Sequence, residues 1–470
     1  MHHRTPLLAL ALVAAAVSLS AQAPARTPDW TSLEPDTLAH FQAMVRMDTS
    51  DPPGNELPLV NYLQQALEKE GIPVQLFSVL PNRPNLVARL KGNGSKRPIL
   101  IMGHTDTVNV DPTKWTHGPF SADRDGGHIY GRGTLDNKPS VVAGLMIMLQ
   151  LKRLNVPLDR DVIFLAEAGE EGNTRYGIDF MVKQHFDAID AEYCLAEGGG
   201  VSRVAGQVRN ATIQTTEKNP RAIELISRGV SGHASRPLES NAIVHLGGAV
   251  ERIGNWQPPI TLNETTGSYF RRLAQIAPPE AAQRYRDVLD PAKVQAVDKY
   301  FRANEPQHSA LLHMTLSPTI IEGGMRINVI PSEAKATIDI RIMPDDDPAV
   351  ALEMVRKVVN DPAITVQYSA RDPRPIGISR LGTEAYQAIE AAVTRHYNAP
   401  ALPAMGTGGT DMSYLRAKGV QCYGIGPATD VEDTGKGFAA HSDQERILES
   451  ELQRFVRYHW DIVSDLARTR

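Results

Sequence analysis

Residues 98–108 read PILIMGHTDTV, an apolar run followed at once by a histidine and an aspartate. A short apolar run of this kind is typical of a strand that is buried on both faces of a sheet. His104 and Asp106 would then lie just past the carboxyl end of that strand, where open α/β sheets bind their ligands. The stretch therefore predicts both a buried strand of a parallel sheet and chemistry at the end of that strand.

Runs of the same kind recur along the chain and are separated by segments of helical character. The patterns predict further strands at 161–166, 191–196 and 420–425, and helices at 56–70, 139–154 and 383–397. Strands that alternate with helices indicate an α/β fold, in which helices are layered on a mainly parallel sheet.

Between residues 219 and 371 the order of the elements changes. The predicted strands there are 222–227, 315–322, 333–342 and 364–369, and the predicted helices are 241–253 and 348–359. This βαββαβ order is that of ferredoxin-like domains. Residues 255–314 are too many for a plain connection, and their composition predicts a helical insertion. We therefore expect a small domain (219–371) inserted into a larger domain formed by residues 24–218 and 372–470.

The overall composition is that of a folded protein with more than one domain. The chain has 470 residues, of which 42% are hydrophobic and 22% are charged, as in ordinary globular proteins. Lys and Arg number 49 against 54 Asp and Glu, which gives a net charge of −5. This balance lacks the basic excess that binding to a phosphate backbone requires, so nucleic acid is not an expected partner.

The first residues predict export. A short cationic start, eleven apolar residues over 7–17, and Ala21, Gln22 and Ala23 together indicate a signal peptide over residues 1–23. Eleven residues are too few to cross a bilayer, which takes about 20, so we expect no stable membrane span. The predicted location is periplasmic or secreted. An uncleaved anchor remains the alternative, because Pro24 is an awkward residue next to a cleavage position.

Five more acids and histidines follow predicted strands or precede a predicted helix. They are Asp136 in GRGTLDNKP, Glu170 and Glu171 in DVIFLAEAGEEGN, Glu197 in AEYCLAEGGG, and His441 in GFAAHSDQERI. Each alone is better explained as a solvated loop residue or a helix cap. Together with His104 they form a set of the His and carboxylate types that bind Zn²⁺.

The number of these candidate ligands indicates two metal ions. Two histidines and three carboxylates exceed the three protein ligands that one catalytic zinc uses. They suit a two-metal site in which one carboxylate bridges ions about 3.5 to 4 Å apart. One of the two adjacent acids is then left over and can act as a general base.

In motif order and in domain order, the chain resembles the co-catalytic dizinc peptidases and deacylases. This family includes glutamate carboxypeptidase, aminoacylase, acetylornithine deacetylase and succinyl-diaminopimelate desuccinylase. The resemblance implies that Asp136 bridges the metals, often with a cis peptide to Asn137, and that Glu170 is the general base. It implies these further roles: His104 and Glu197 as ligands of one ion, Glu171 and His441 as ligands of the other, and Asp106 as the acid that orients His104.

The small domain resembles the lid of this family, which commonly also forms a homodimer. The resemblance implies that His233 in SGHAS polarises the substrate carbonyl, often across the dimer interface. It also implies that Asn328 in MRINVIP and Arg341 in IDIR hold a substrate carboxylate or carbonyl. A surface cation and a turn residue are the plain alternatives for Arg341 and Asn328. The glycine-rich GTGGTD, through Gly408 and Gly409, could line the cleft with backbone N–H groups or form a plain turn.

We therefore expect a metal-assisted hydrolase that uses two zinc ions, with Co²⁺ or Mn²⁺ as alternatives. Its predicted substrate is a peptide or N-acyl amino acid with a free carboxylate, cleaved as by a carboxypeptidase. An aminoacylase-like amidohydrolase with the same machinery is the first alternative. An aminopeptidase is less expected, because its lid would lack the carboxylate-binding pair that the resemblance implies for Asn328 and Arg341. A non-catalytic binding protein would lack one of the ligands or the base, whereas all six positions are filled.

Overall fold

The computed structural model describes residues 27–370 and 373–469. The predicted signal peptide, residues 1–23, lies outside the described residues. The helices are α1 (Trp30–Val45), α2 (Leu57–Lys69), α3 (Lys138–Arg153), α4 (Ile178–Gln184), α5 (Phe186–Ile189), α6 (Ala242–Asn255), α7 (Glu264–Ile276), α8 (Pro279–Asp287), α9 (Val294–Asn304), α10 (Pro306–Ser309), α11 (Pro348–Val359), α12 (Glu384–Tyr397), α13 (Met412–Ala417), α14 (Val431–Lys436) and α15 (Glu449–Ala467).

The strands fall into one large sheet, one sheet of four strands and three small ribbons. They are β1 (Ser50–Asp51), β2 (Val74–Ser78), β3 (Pro84–Leu90), β4 (Ile99–His104), β5 (Thr107–Val108), β6 (Arg124–Asp125), β7 (His128–Tyr130), β8 (Val162–Glu167), β9 (Tyr193–Ala196), β10 (Gly200–Val204), β11 (Gln207–Glu217), β12 (Asn219–Arg228), β13 (Gly232–His233), β14 (Thr315–Gly323), β15 (Val329–Ile330), β16 (Glu333–Ile342), β17 (Ile364–Tyr368), β18 (Ala401–Gly406), β19 (Gln421–Gly424), β20 (Ala428–Asp430) and β21 (Arg446–Leu448).

The large sheet confirms the predicted α/β class. Its strand order is β2-β3-β8-β4-β9-β19-β11-β10-β20, with β18 beside β11. The central strands β8, β4, β9 and β19 run parallel, and every residue of β4 and β8 is buried. The pairs β2–β3, β3–β8, β11–β19 and β10–β11 are antiparallel, whereas β10–β20 and β11–β18 are parallel, so the sheet is mixed.

Helix α3 lies in the interior, against the sheet on one side and α1 and α15 on the other. All of its residues from Lys138 to Leu151 are buried, which accounts for the nearly continuous apolar run there. Because α3 begins directly after Asp136 and Asn137, its burial fixes the position of those two residues beneath the carboxyl ends of the central strands.

The four-stranded sheet has the order β14-β16-β12-β17, and each neighbouring pair is antiparallel. Together with α6 and α11 its strands follow each other as βαββαβ. We call these elements the small domain, and residues 256–314 between α6 and β14 the helical segment. Strand β16 alternates in burial, with Ile338 and Ile340 in the core. Asp339 and Arg341 therefore lie on the opposite face of this sheet.

Helices α7 to α10 form the segment between α6 and β14, with a core of their own around Phe270 and Phe301. This helical segment is attached to the large domain as well. Arg272 donates to the carbonyl of Ala401 at 2.9 Å, and the hydroxyls of Thr265 and Thr215 are 2.8 Å apart. The segment therefore adds a contact between the large domain and the chain of the small domain.

Of the helices that the structure describes, none combines the length and the apolar character needed to cross a membrane.

Candidate metal centre

The central strands bring acids and a histidine to one end of the large sheet. His104 is the last residue of β4, Glu170 and Glu171 follow β8 by a short turn, and Glu197 comes directly after β9. These three strands are parallel neighbours, so their carboxyl ends meet and their polar side chains converge.

Asp136 reaches the same place from the loop that precedes α3. Gly133 in this loop has φ +84°, and a Cβ there would lie 2.9 Å from Thr107 Cγ2 and 3.0 Å from Lys138 Cδ. Only glycine fits such a position without strain. The bond between Asp136 and Asn137 is cis, as the family resemblance implied. Asn137 then donates to Glu197 Oε2 at 3.1 Å.

The two carboxylate oxygens of Asp136 face different histidines. His104 Nε2 lies 2.9 Å from Asp136 Oδ1 and 3.2 Å from Glu197 Oε2. His441 Nε2 lies 3.0 Å from Asp136 Oδ2 and 2.9 Å from Glu171 Oε1. The predicted ligands therefore form two half-sites that share Asp136, as a bridging carboxylate requires.

Two sets of three residues in the described chain have ligand atoms that all lie within 4.8 Å of one another. They are His104 with Asp136 and Glu171, and His104 with Glu170 and Glu197. Both sets include His104, so they overlap in one cluster of ligand atoms and do not divide it between two ions. The imidazole and carboxylate donors of this cluster are those that divalent zinc, cobalt or manganese accepts.

The charges of this cluster also fit bound cations. Hydrogen bonds to Asp136 and Glu171 raise the pKa of His441 to about 10. Burial would lower the pKa of His104, but the charge of Glu197 and contacts with Asp106 and Asp136 raise it well above its usual value. In the metal-free protein, protonated imidazoles thus supply the positive charge that the carboxylates demand.

Asp106 makes two kinds of contact behind the ligands. His104 Nδ1 is 3.0 Å from the backbone oxygen of Asp106 and 3.6 Å from its carboxylate Oδ1. The carboxylate also accepts the backbone N–H groups of Glu170 at 3.2 Å and Glu171 at 3.0 Å. Asp106 therefore contacts His104 mainly through its carbonyl, and its carboxylate also holds the turn that carries both glutamates.

Glu170 has a cationic neighbour that the sequence analysis did not select. Arg374 Nη1 donates to Glu170 Oε1 at 3.2 Å and to Asp411 Oδ1 at 3.2 Å. Burial and the charge of Glu197 raise the pKa of Glu170 well above its usual value, while Arg374 acts in the opposite direction. A buried glutamate with a raised pKa beside a ligand set is a candidate for proton transfer.

Gly409 makes room for that arginine. A Cβ on Gly409 would lie 3.2 Å from Arg374 Cδ and 3.1 Å from Pro220 Cγ. Two cavities adjoin Glu170, and Gly409 lines both of them. Gly408 is exposed and is not among the described residues that line either cavity. Of the two glycines selected from the sequence, Gly409 is thus the one next to the candidate base.

Two cavities meet at Glu170 and Glu171. One, of about 590 Å³, extends past Asp136 and His441 between the glycine-rich turn 198–200 and residues 425–448. The other, of about 400 Å³, lies between the two glutamates and the small domain, where Arg341, Asp339 and Arg374 line it. The candidate base therefore stands between two spaces that could hold the two sides of a scissile bond.

The predicted substrate residues of the small domain are placed differently from one another. Arg341 lines the smaller cavity and donates to Asp339 through Nε at 2.7 Å and Nη2 at 3.1 Å. His233 and Asn328 lie side by side, since Ala234 N–H donates to the carbonyl of Asn328 at 3.0 Å. Both side chains are exposed, and neither residue is among the described residues that line the two cavities.

Comparison with known proteins gives the same family as the motifs. The family model described as peptidase family M20/M25/M40 matches residues 100–465. A probable carboxypeptidase S-like 2 of Dictyostelium discoideum is 30% identical over 331 residues, which are 67% of this chain and 61% of that protein. Aminoacylase-1 of Mus musculus is 24% identical over 439 residues, 92% of this chain and 96% of that protein.

The fold is also that of solved structures. An M20 family metallo-carboxypeptidase from Sulfolobus solfataricus superimposes with a TM-score of 0.66 at 20% identity, covering 91% of this chain and 98% of the other. At this identity the likeness concerns the fold alone.

Proposed function

The chain belongs to peptidase family M20/M25/M40, and on that premise we propose that it hydrolyses the amide bond of peptides or N-acyl amino acids that carry a free carboxylate, using two zinc ions. One observation carries the proposal. Asp136 directs one carboxylate oxygen to His104 and the other to His441, with Glu197 and Glu171 beside them. The same N and O donors would also accept Co²⁺ or Mn²⁺.

The residues around this centre account for the steps of hydrolysis. When bound, the two ions lower the pKa of a water molecule and polarise the scissile carbonyl. Glu170 takes the proton of the attacking water and returns it to the leaving amine. Asp106 holds the turn of Glu170 and Glu171 through their backbone N–H groups, so the base and a ligand keep a fixed spacing.

Arg341 supplies the preference for a free carboxylate. It lines the smaller cavity on the face of the small-domain sheet that is not covered by helices. Asp339 takes two of its N–H groups, and the guanidinium has five, so donors remain for a substrate. A carboxylate bound there would place the amide bond toward Glu170, which lines the same cavity.

The larger cavity favours an N-acyl amino acid as a second candidate substrate. Its lining includes Leu135, Ile425 and Val431. Apart from the ligands and Glu170, the acids that line it in the described chain are Asp430 and Asp433. Asp433 pairs with Arg446 at 2.8 Å and Asp430 with Arg203 at 3.4 Å, so neither is left to bind the free ammonium group of an aminopeptidase substrate.

A screen of the zinc-loaded protein tests these substrate assignments. Dipeptides, N-acyl amino acids and amino acid amides are compared by release of free amino acid, with a chelator-treated sample as the control. We expect hydrolysis of N-acyl amino acids or dipeptides with a free carboxylate, and its loss with chelator. Hydrolysis of amino acid amides alone would replace the proposal by an aminopeptidase.

We also propose a homodimer through the small domain. Strand β14 is an edge strand and exposes Ile320 and Ile321, while the adjoining α6 exposes Ile243 and Val244. Ile243 lies beside Gly323 of β14, and Ile321 is on the same face of the strand as Gly323, whereas Ile320 is on the opposite face. Ile321, Ile243 and Val244 therefore expose apolar surface on one side of the small domain, of the kind that interfaces cover. A second copy that pairs with β14 would also cover the unpaired edge.

The exposed position of His233 fits this dimer. Since His233 does not line the cavities described for its own chain, we propose that it polarises the substrate carbonyl in the partner's site, with Asn328 beside it. Mixing Glu170→Gln and His233→Ala chains tests this, because a hybrid dimer would contain one intact site. Sedimentation of Ile321→Lys against Leu76→Lys, a matched exposed position in the large domain, tests the interface itself.

Export completes the proposal, and it rests on the cationic start and the apolar run of residues 1–23. Amino-terminal sequencing of protein recovered from a periplasmic or extracellular fraction tests it. We expect a mature chain that begins soon after Ala23, and an intact Met1 in the membrane fraction would favour an anchor instead.

A further inference from the structure

Glu445 is a completely buried acid that the proposed reaction does not use. It is four residues beyond His441, and its side chain is 0% exposed. Its Oε1 accepts the backbone N–H of Leu135 at 2.7 Å and that of Asp136 at 3.2 Å. Its Oε2 accepts Arg132 Nη1 at 2.6 Å. One carboxylate thus contacts both ends of the loop 132–136.

These contacts join two segments that carry candidate ligands. Asp136 and His441 are far apart in sequence, yet His441 Nε2 is only 3.0 Å from Asp136 Oδ2. The backbone adds to the junction, since Gly131 N–H donates to the carbonyl of Glu445 at 3.0 Å. Strand β21, which begins at Arg446, then pairs with β7.

The ligand residues of the two half-sites are held in place by different contacts. Glu197 follows β9, and Asn137 donates to it at 3.1 Å, while His104 is itself part of β4. His441 has no such strand, because it lies between α14 and β21 with φ +63° and a half-exposed side chain. Its distance to Asp136 therefore depends on the segment that Glu445 holds.

We propose that Glu445, with Arg132, is a positioning residue that holds Asp136 and His441 at the spacing needed for the ion on the His441 side. This rests on the proposed dizinc site and goes beyond it, because Glu445 touches backbone N–H groups and an arginine and contributes no ligand atom. Residues that orient ligands in this way typically contribute about 10- to 100-fold to metal affinity.

Glu445→Gln is the first test. The amide can keep one acceptor for the N–H groups of Leu135 and Asp136, but it turns its NH₂ toward Arg132 and leaves a buried guanidinium unpaired. We expect the ion on the His441 side to bind about 10- to 100-fold more weakly, while the ion held by His104 and Glu197 changes much less. Zinc titration against a chromophoric chelator separates the two affinities.

Asp161→Asn is the matched control. Asp161 also accepts a backbone N–H, from Gly92 at 2.9 Å, and an arginine, Arg89 at 2.9 Å, but it lies before β8, at the opposite end of the sheet. It should lower thermal stability without changing either zinc affinity. Cobalt absorption gives a second readout, since Glu445→Gln should alter the spectrum of the second equivalent of Co²⁺ and Asp161→Asn should not.

The outcomes separate this inference from the proposed function. If the natural sequence binds no zinc, the metal site itself is wrong. If it binds two ions and Glu445→Gln binds both equally well, Glu445 is only a structural acid and the inference is overturned. Should Glu445→Gln fail to fold, Arg132→Lys decides, because it keeps the carboxylate but not the planar guanidinium: weaker binding on the His441 side supports the inference, and unchanged binding overturns it.

Discussion

Replacement of Glu170 by glutamine removes the proton acceptor and changes little else. The side chain is 10% exposed, and Oε1 accepts Arg374 Nη1 at 3.2 Å. Glutamine has the same shape and keeps an oxygen that can accept from Arg374. General bases contribute about 10²- to 10⁴-fold to turnover, which corresponds to about 2.7 to 5.4 kcal/mol of activation free energy.

The assay compares Glu170→Gln with Glu171→Gln, the same change one residue further along the turn. We expect Glu170→Gln to retain both ions and its melting temperature while kcat falls by at least about 10²-fold. Glu171 lies 2.9 Å from His441, so Glu171→Gln should lose an ion. If Glu170→Gln keeps nearly normal kcat with both metals bound, Glu170 is not the base and the mechanism is wrong.

Two further predictions concern substrate and protons. Arg341→Ala should chiefly raise KM for a free-acid substrate and leave its C-terminal amide nearly unaffected, because only the acid needs the guanidinium; equal effects on both would make the arginine structural. Zinc binding at pH 7 should release roughly two protons, one from each of His104 and His441, whose pKa values are raised in the metal-free protein, because metal ligands must be neutral imidazoles. The apparent affinity should therefore rise with pH toward about 10, the pKa of His441, and calorimetry in buffers of different ionisation enthalpy measures the protons.

The sequence indicates the strand-end residues well, because burial leaves a strong pattern. Strands β4 and β8 are buried along their whole length, so their apolar runs end where the polar ligands begin. The pattern thus places His104, Glu171 and Glu197 at one end of the sheet. Asp136 is different, since its position depends on the loop before α3, and only the family resemblance indicated its role.

Other parts of the site leave no comparable pattern. Arg374 meets Glu170 across 204 positions of sequence, and residues 373–380, all described, contain no helix or strand whose period could be read. Glu445 is a single acid directly before the short strand β21, and its contacts come from the distant loop of Leu135. Helix α1 is not among the predicted elements, and it contains Pro35, a residue that disrupts the interior of a helix.

The sequence also does not predict which elements that are distant along the chain pack against each other. The helical segment of α7 to α10 was predicted as an insertion, but nothing in its composition indicated that Arg272 would donate to Ala401 of the large domain. Periodicity describes the face that a helix buries and does not identify what covers it. Such contacts need the three-dimensional structure.

The number of metal ions that the site holds tests the proposed dizinc centre most directly. Elemental analysis of the zinc-reconstituted and dialysed protein, beside an Asp136→Ala variant, measures it. Asp136 faces both histidines at 2.9 and 3.0 Å, so we predict close to two ions per chain for the natural sequence and a loss of both in the variant. A natural chain that retains no zinc, or a variant that still holds two ions, would contradict the account.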